Sequence, residues 1–504
     1  MRTNNVIRNM ISELLAGVVG TIFPFIVRTC IIKYLGSEYM GLNNLCSSVL
    51  YVLSAADLGV ANAFAFRLYK PIAIGDREEV CRLLNFYRRV YFAIGLFILF
   101  AGIVVLPFFK CFISQNIPDG INIYLVFFLY LINTVISYMV FAYKNLIFIA
   151  DQKKIYGSLT TMISFVLLYT SQILLVLARK YYMSVCMLPL CTLFANIMRN
   201  EIAKRKYPDY IPRGSIPRTV IADLKRDIFS VAVYKLRDLS RDAFDSVVIS
   251  AFLGLIVLSN YQNYCMIMTV PVWLLKVFYV VLLPSVGNFA ISNSLEDVYG
   301  IYKKNVFIIS FLAGWFAICY CFLIQDTIVI WLGVDFRLSW VAVILFSSYI
   351  YLYGEIMIIK ITRESIGLWK RGKIWAGIEM AVNLVLNVIL VNWIGVEGIV
   401  LATLISMLFI GIPVENRIIF SQYFVGKGND KLKRMVINTV WMICTACMVG
   451  LFCSIAPHVL YVSFAYKICV CTLLPLLSCT LCFRQTEEFQ FVKDVVVKVL
   501  QRRR

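Results

Sequence analysis

The chain has 504 residues, of which 61% are hydrophobic and only 15% are charged, against roughly 25% charged residues in soluble domains. This composition excludes a disordered chain, a secreted disulfide scaffold and a conventional soluble enzyme. It permits a protein that lies almost entirely in a membrane, because one spanning helix uses about 20 apolar residues. The formal net charge of +20 indicates a nucleic-acid partner in a soluble chain, so the positions of the charges decide its meaning here.

Long apolar runs recur from one end of the chain to the other, separated by short charged or glycine- and proline-containing breaks. Runs of this length predict membrane-spanning helices. We therefore predict an all-α integral membrane protein with about fourteen transmembrane helices. The predicted spans are 10–33, 42–66, 88–111, 121–147, 155–178, 182–203, 228–254, 260–286, 304–325, 338–361, 373–393, 397–421, 434–455 and 461–483. The second and the seventh of these spans hold several polar residues.

The Lys and Arg residues alternate between dense and sparse groups in step with the predicted spans. Most of the 48 basic residues fall in segments on one side, for example 67–89, 199–226 and 484–504. The predicted segments on the other side hold only Lys33, Lys110, Arg179, Lys180 and Arg337. Because cytoplasmic loops carry the excess of Lys and Arg, we predict that both termini are cytoplasmic. The charge of +20 then reflects topology rather than nucleic-acid binding.

The longest predicted cytoplasmic segment holds three prolines among basic residues, which is typical of a linker. A Leu-Gly pair joins the first two spans at Leu35-Gly36, and another joins the seventh and eighth at Leu253-Gly254. Such an echo is weak evidence for a transporter built from repeats. The predicted parts are an N-terminal lobe (1–203), a basic linker (204–227), a C-terminal lobe (228–422), an additional helix pair (423–483) and a basic amphipathic cytoplasmic tail (484–504).

The predicted seventh helix carries six charged residues, although one charge at the bilayer centre costs about 2.5–3.5 kcal/mol on insertion scales. At about 100° per residue, the six fall within an arc of roughly 160°. They are Lys235, Arg237, Asp238, Arg241, Asp242 and Asp245. Three interpretations stay open: a cavity wall that binds a charged substrate, a neutral network that fixes helix packing, and a cytoplasmic helix end in solvent.

Acidic and amide side chains in the spans form a set of candidates for ion coupling or for the polar lining of a cavity. The set comprises Glu13, Asp57, Asp238, Asp242, Asp245, Glu355, Glu379, Asn383 and Asn387. Among the bases, Arg28 lies late in the first span and Lys276 lies in the eighth. Interhelical hydrogen bonds account for the asparagines equally well, and Arg28 can also extend to the outer interface.

Sixteen cysteines and one histidine, His458, do not indicate a metal centre or a catalytic device. The CxxC pairs at 444–447 and 479–482 lie in apolar spans, where cysteine packs as a small hydrophobe. No GxxxxGK[ST] motif is present in the sequence, so ATP hydrolysis by this chain is not predicted. We predict that the chain is not an enzyme and has no catalytic residue, metal or cofactor, apart from a coupling cation (H⁺ or Na⁺) if transport is ion-driven.

Several short motifs occur in the order and spacing of one transporter family. The first lies in segment 34–80 and comprises Leu35, Gly36, Gly41, Leu42, Asp57, Leu58 and Gly59, preceded by Arg28. Two later stretches are 245–264 and 375–406, the second with a turn at Gly395 and Gly398. Through about residues 5–425 the chain resembles the bacterial polysaccharide flippases (O-antigen, Wzx-type) of the multidrug/oligosaccharidyl-lipid/polysaccharide (MOP) exporter superfamily.

The resemblance implies two pseudo-symmetric six-helix lobes around a central cavity, with a C-terminal helix pair appended. It implies alternating access, by which an undecaprenyl-type pyrophosphate-linked oligosaccharide repeat unit crosses the bacterial inner membrane for surface polysaccharide biosynthesis. The implied partners are this lipid-linked oligosaccharide, membrane lipids, and a polysaccharide polymerase with glycosyltransferases. No nucleic acid is implied.

By position, the resemblance assigns the anionic headgroup to Arg28, Lys235, Arg237, Arg241 and Lys276. A diphosphate that enters a low-dielectric cavity has to be paired, and Arg offers two parallel donors for it. One alternative is a cation-coupled multidrug antiporter of the same superfamily, although the three bases of the seventh helix disfavour cationic drugs. The other is a membrane-embedded glycan polymerase or ligase, although no predicted outer loop is long.

Overall fold

A computed structural model describes residues 2–57, 60–151, 153–217, 221, 236–237, 243–368 and 372–501, and in these residues the regular structure is helical throughout. The physical reason is that lipid offers no hydrogen-bond partners, so a spanning backbone has to satisfy its N–H and C=O groups within the segment. The chain forms two compact units, 1–259 and 260–504.

The first unit is built from nine helices and the start of a tenth within the described residues. They are α1 (Arg2–Tyr34), α2 (Ser37–Leu53), α3 (Val60–Ile74), α4 (Arg77–Val105), α5 (Ile123–Met139), α6 (Asn145–Ala150), α7 (Ile155–Leu177), α8 (Tyr181–Lys206), α9 (Asp245–Leu253) and α10 (Leu255–Ser292). Short 3₁₀ turns follow α2, α4 and α5, at Ser54–Asp57, Leu106–Phe112 and Ala142–Lys144.

The second unit takes the rest of α10 and eight further helices among the described residues. They are α11 (Leu295–Trp331), α12 (Trp340–Ser365), α13 (Lys373–Ile394), α14 (Val396–Ser406), α15 (Ile412–Gln422), α16 (Gly428–Ser454), α17 (Leu460–Phe483) and α18 (Glu487–Gln501). A π-helical turn, Met407–Gly411, joins α14 to α15.

The all-α membrane fold is confirmed, whereas the count of fourteen spans is not. In the described part of the chain, 11 helices are long and apolar enough to cross a membrane. The bent pair Ile123–Met139 and Ala142–Ala150 makes 12. The predicted second span, 42–66, is broken at Ser54–Asp57, because its polar residues support a tight turn instead of a continuous helix. Of the predicted seventh span, only 236–237 and 243–254 lie among the described residues.

The chain divides inside α10, between 259 and 260. Helix α9 packs into the first unit, where Ser114 N donates to Ser250 O over 3.1 Å. An ideal Cβ on Gly41 of α2 would lie 2.1 Å from the carbonyl oxygen of Leu255, so only glycine allows this approach. The lobe boundaries predicted from the sequence stay a prediction, because residues 222–235 and 238–242 lie outside the described residues.

The two Leu-Gly pairs of the sequence form similar turns between consecutive helices. Gly36 has φ 125° between α1 and α2, and Gly254 has φ 91° between α9 and α10. A positive φ favours glycine because it has no Cβ. Each turn therefore ends one helix and starts the next within two residues, which places the motif glycines at the helix connections.

The last three helices pack against α11. Lys467 of α17 forms an ion pair with Asp326 over 2.7 Å, and both side chains are largely shielded. The amphipathic helix α18 is held by Glu488, which is buried and accepts a hydrogen bond from Arg434 of α16 over 2.8 Å. Lys304 lies 4.6 Å from the ring centre of Phe491. The helical part of the predicted tail is therefore docked on its own unit.

Candidate functional site

Arg28 lies in the first unit as a buried guanidinium near the end of α1. Its exposed fraction is 5%. It donates to Ser259 O over 2.9 Å and to Asn44 Oδ1 over 3.4 Å. The side chain thus bridges α1, α2 and α10.

Of the six charged residues predicted on the seventh helix, the structure describes two, Arg237 and Asp245. Arg237 is buried at 3% exposure and Asp245 at 2%. The other four charged positions, Lys235, Asp238, Arg241 and Asp242, lie outside the described residues. The first unit therefore buries at least two guanidinium groups, those of Arg28 and Arg237, inside an apolar helix bundle.

Asp57 lies at the break in the predicted second span, in the 3₁₀ turn that follows α2. Tyr91 donates a hydrogen bond to its Oδ2 over 3.3 Å, and the Tyr138 hydroxyl interacts with the same carboxylate. The rings of Tyr87, Tyr91 and Tyr138 pack in series at tilted angles, with centroids 4.3 Å and 5.5 Å apart. A wall of tyrosine hydroxyls thus faces this carboxylate, whereas the neighbouring residues 58 and 59 lie outside the described residues.

Lys276 and Glu13 are two further residues of the predicted site. Lys276 in α10 is exposed, and its ammonium lies 5.9 Å from the ring centre of Tyr353. It belongs to the second unit, so it is not in the same compact unit as Arg28. Glu13 falls within helix α1, but its side chain lies outside the described residues.

Glu355 in α12 is the centre of a buried polar group in the second unit. It is 2% exposed and accepts a hydrogen bond from Ser310 of α11 over 2.5 Å. Lys431 of α16 is also buried, at 4% exposure, and its positive charge acts on the Glu355 carboxylate. Three helices are thus linked by one acid, one base and one hydroxyl.

The predicted polar line of the eleventh span is fully buried in α13. Glu379, Asn383 and Asn387 are at most 2% exposed. Asn383 Nδ2 donates to Thr403 Oγ1 of α14 over 3.0 Å, while its Oδ1 accepts no hydrogen bond from the described residues. An ideal Cβ on Gly411 would lie 2.9 Å from Glu379 Oε1. The carboxylate therefore rests against the π-helical turn, an element that is frequent at functional sites.

Sequence reasoning missed an ion pair that the fold buries. Arg363, predicted in a cytoplasmic loop, lies in the last turn of α12 with 1% exposure. Its Nη1 lies 2.7 Å from Glu415 of α15, and its Nη2 lies 3.7 Å from Glu364. The available signal was the ESIGL stretch (364–368) at the end of α12 combined with a second acid, Glu415, near the end of the predicted twelfth span. Separation in sequence does not show that the two regions meet.

Metal-ligand chemistry has no support in the described residues, where no three His, Cys, Asp or Glu side chains are grouped closely enough to hold an ion. The polar sites that the structure does contain are charged or amide groups buried among helices.

No protein-family model and no curated protein matches the sequence, so the comparisons rest on solved structures. The lipid II flippase MurJ in an inward closed conformation matches with a TM-score of 0.68 at 16% identity, over 96% of this chain and 99% of that chain. The chain therefore shares the fold of that structure. A multidrug resistance MATE family transporter of the MOP superfamily, in an inward-facing conformation, has a TM-score of 0.65 at 13% identity, over 81% of this chain and 98% of that chain.

A third MOP structure shows the same fold with a weaker likeness. It is a MOP-superfamily transporter from Pyrococcus furiosus, described by the reverse polarity of its binding pocket, with a TM-score of 0.54 at 15% identity. The match covers 83% of this chain and 96% of the compared chain. At these identities the MOP likeness establishes a multi-pass membrane fold, and the substrate has to be argued from this chain's own residues.

Proposed function

We propose that the chain is a flippase that moves polyprenyl-pyrophosphate-linked oligosaccharide units across the bacterial cytoplasmic membrane by alternating access. The observation that carries the proposal is the extent of the likeness to a lipid II flippase, which spans 96% of the chain. The multidrug transporter of the same fold spans 81%. The lipid part of such a substrate stays in the bilayer, so only the charged headgroup has to cross.

The chemistry of the first unit supports an anionic headgroup. Arg28 and Arg237 are buried guanidinium groups, and each remains charged at any physiological pH. A diphosphate offers several acceptor oxygens that match the planar donors of Arg. We therefore propose Arg28 and Arg237 as headgroup ligands, and we keep Lys235, Arg241 and Lys276 as further candidates.

The second unit supports a place for a coupling cation. Glu379 supplies a carboxylate against Gly411, and Asn383 Oδ1 is a buried oxygen that accepts no hydrogen bond from the described residues. Oxygen ligands of this kind fit a hard cation or a proton. We propose that Glu379, Asn383 and Asn387 hold the coupling ion. Asp57, within its tyrosine wall in the first unit, and Glu355 are the other candidates for a proton relay.

The predominance of Lys and Arg in alternate segments supports a location in the cytoplasmic membrane with both termini in the cytoplasm. Reporter domains fused after residue 504 and in segment 179–180 test this orientation. We expect cytoplasmic activity for the first fusion and periplasmic activity for the second, and the reverse result excludes the topology.

The experiment that tests the function is deletion of the chain in its host, followed by analysis of lipids and surface glycans. A flippase predicts that lipid-linked oligosaccharide accumulates in the inner leaflet and that surface polysaccharide is lost. The antiporter alternative, which the second MOP structure keeps open, predicts increased sensitivity to cationic compounds with normal glycan. A polymerase or ligase predicts that single units still reach the outer leaflet.

A further inference from the structure

One lysine at the predicted cytoplasmic end of the first unit is buried without an acidic partner. Lys144 is 6% exposed. In the part of the chain that the structure describes, it forms no ion pair and no hydrogen bond, and its only close aromatic contact is the ring of Tyr143, 5.5 Å away. Most buried charges are paired, because an unpaired ion in a low-dielectric interior is costly.

The charged groups that act on Lys144 are other bases. Arg88 of α4 and Lys204 of α8 both repel its ammonium group. Arg88 donates to Asn85 Oδ1 over 3.3 Å, and its positive charge acts on the neighbouring Tyr143 hydroxyl. Two cationic side chains, from α4 and α8, therefore act on the ammonium group of Lys144 in the turn Ala142–Lys144, and this repulsion favours a bound anion there.

Several acids of the first unit form ion pairs with bases other than Lys144 and Arg88. Glu201 accepts from Lys204 over 2.9 Å. The remaining ion pairs are Asp151 with Lys153, Asp209 with Arg77, and Glu78 and Glu79 with Arg82. Among the described residues, no carboxylate forms an ion pair with Lys144 or Arg88.

A bend between α5 and α6 precedes Lys144. Helix α5 ends at Met139, and Phe141 takes a left-handed φ of 55°, which turns the chain by 46° into α6 and points residues 143–144 into the unit. The segment 207–217 packs against α4, where Gly214 O accepts from Asn85 over 2.7 Å. Burial and then the hydrogen bond to Asp151 raise the pKa of Tyr207, so its hydroxyl stays a donor and holds this segment in place.

We propose that Lys144, Arg88 and Tyr143 form a phosphate-binding site at the cytoplasmic end of the first unit. An ammonium, a guanidinium and a phenol supply donors on several sides, which suits the three or four acceptor oxygens of a phosphate group. The phosphate is carried either by an anionic phospholipid of the inner leaflet or by a soluble phosphate compound. The site is separate from Arg28 and does not depend on the proposed transport function.

The test uses the purified full-length protein and measures the midpoint of thermal unfolding, which rises with ligand concentration when the folded state binds. One arm titrates inorganic phosphate and pyrophosphate in detergent, and the other compares nanodiscs of phosphatidylglycerol with nanodiscs of phosphatidylcholine. The variants are Lys144→Met, Lys144→Arg and Arg88→Met. Lys70→Met serves as the control, because it removes an exposed base on the same predicted side.

We expect stabilisation of the wild type by one phosphate source, and the responding arm identifies that source. Lys144→Met should lose the shift and should be at least as stable as wild type without ligand, because a buried charge is removed. Lys144→Arg and Lys70→Met should keep the shift. Arg88→Met should weaken binding about tenfold or more, as expected for a charge-assisted hydrogen bond, and this exposed position decides the matter if Lys144→Met does not fold.

Three results overturn the proposal: no stabilisation of the wild type by either source, an unchanged shift in Lys144→Met, or wild-type affinity in Arg88→Met. A structural lysine predicts instead that Lys144→Met is destabilised in the absence of ligand while ligand shifts are unaffected. Since the assay contains no transport step, these results leave the proposed flippase function untouched.

Discussion

The ion pair between Arg363 and Glu415 gives a prediction whose size follows from burial. Both residues are almost fully buried, at 1% and 3% exposure, and their charged atoms lie 2.7 Å apart. Removing one partner of a buried pair typically costs about 3–5 kcal/mol, because the other charge remains buried. We expect Arg363→Met to lose an amount in this range. Glu415→Gln should lose less, because Glu364 still lies 3.7 Å from the guanidinium.

A double-mutant cycle measures this coupling directly. The four proteins are compared by thermal unfolding in one detergent, with Arg337→Met as the control, since Arg337 is exposed and should change stability by less than about 0.5 kcal/mol. The double variant is expected to be more stable than the sum of the single losses predicts. Strictly additive losses, or equal losses for Arg363→Met and Glu415→Gln, would refute the reasoning.

Two further predictions concern the second unit. Gly411→Ala should displace the Glu379 carboxylate, since a Cβ there lies 2.9 Å from its Oε1, and should therefore reduce ion-driven transport. The control Gly377→Ala, whose added Cβ meets open space, should leave transport unchanged. Equal transport by the two variants excludes the proposed ion site. Lys467→Met should weaken the packing of α17 on α11 by removing the partner of Asp326, seen as earlier proteolysis of the C-terminal helix pair, and Asp326→Asn should have a similar effect. Unchanged protease resistance in both variants would show that the ion pair does not hold the helices.

The fold class was predictable because apolar runs and basic loops report directly on the lipid environment. The break in the second predicted span was not, since hydropathy averages over a turn such as Ser54–Asp57 that keeps its apolar neighbours. The seventh span illustrates the same limit, because its charged face reads equally well as a cavity wall and as a packing network. The division inside α10 follows from contacts such as Gly41 with Leu255, which no local pattern contains.

The candidate site was predictable where polar residues interrupt apolar helices. Arg28, Glu355, Glu379 and Asn383 are all buried, although their roles stay predictions. Lys144, Arg363 and Lys431 were counted with cytoplasmic loops or at a span end, because a basic residue next to an apolar run usually marks a boundary. All three side chains are buried instead. Burial of a charge depends on tertiary partners that lie far away in sequence, so a local pattern does not predict it.

The measurement that tests the central claim most directly is flipping of a fluorescent polyprenyl-pyrophosphate oligosaccharide by the purified protein in liposomes. Protection of the label from a membrane-impermeant quencher reports which leaflet holds the headgroup. We predict exchange between leaflets with wild type, and at least a tenfold slower rate with Arg28→Met, since a bidentate charged contact to the diphosphate is lost. Protein that is folded and inserted but leaves the lipid-linked sugar in its original leaflet would contradict the account.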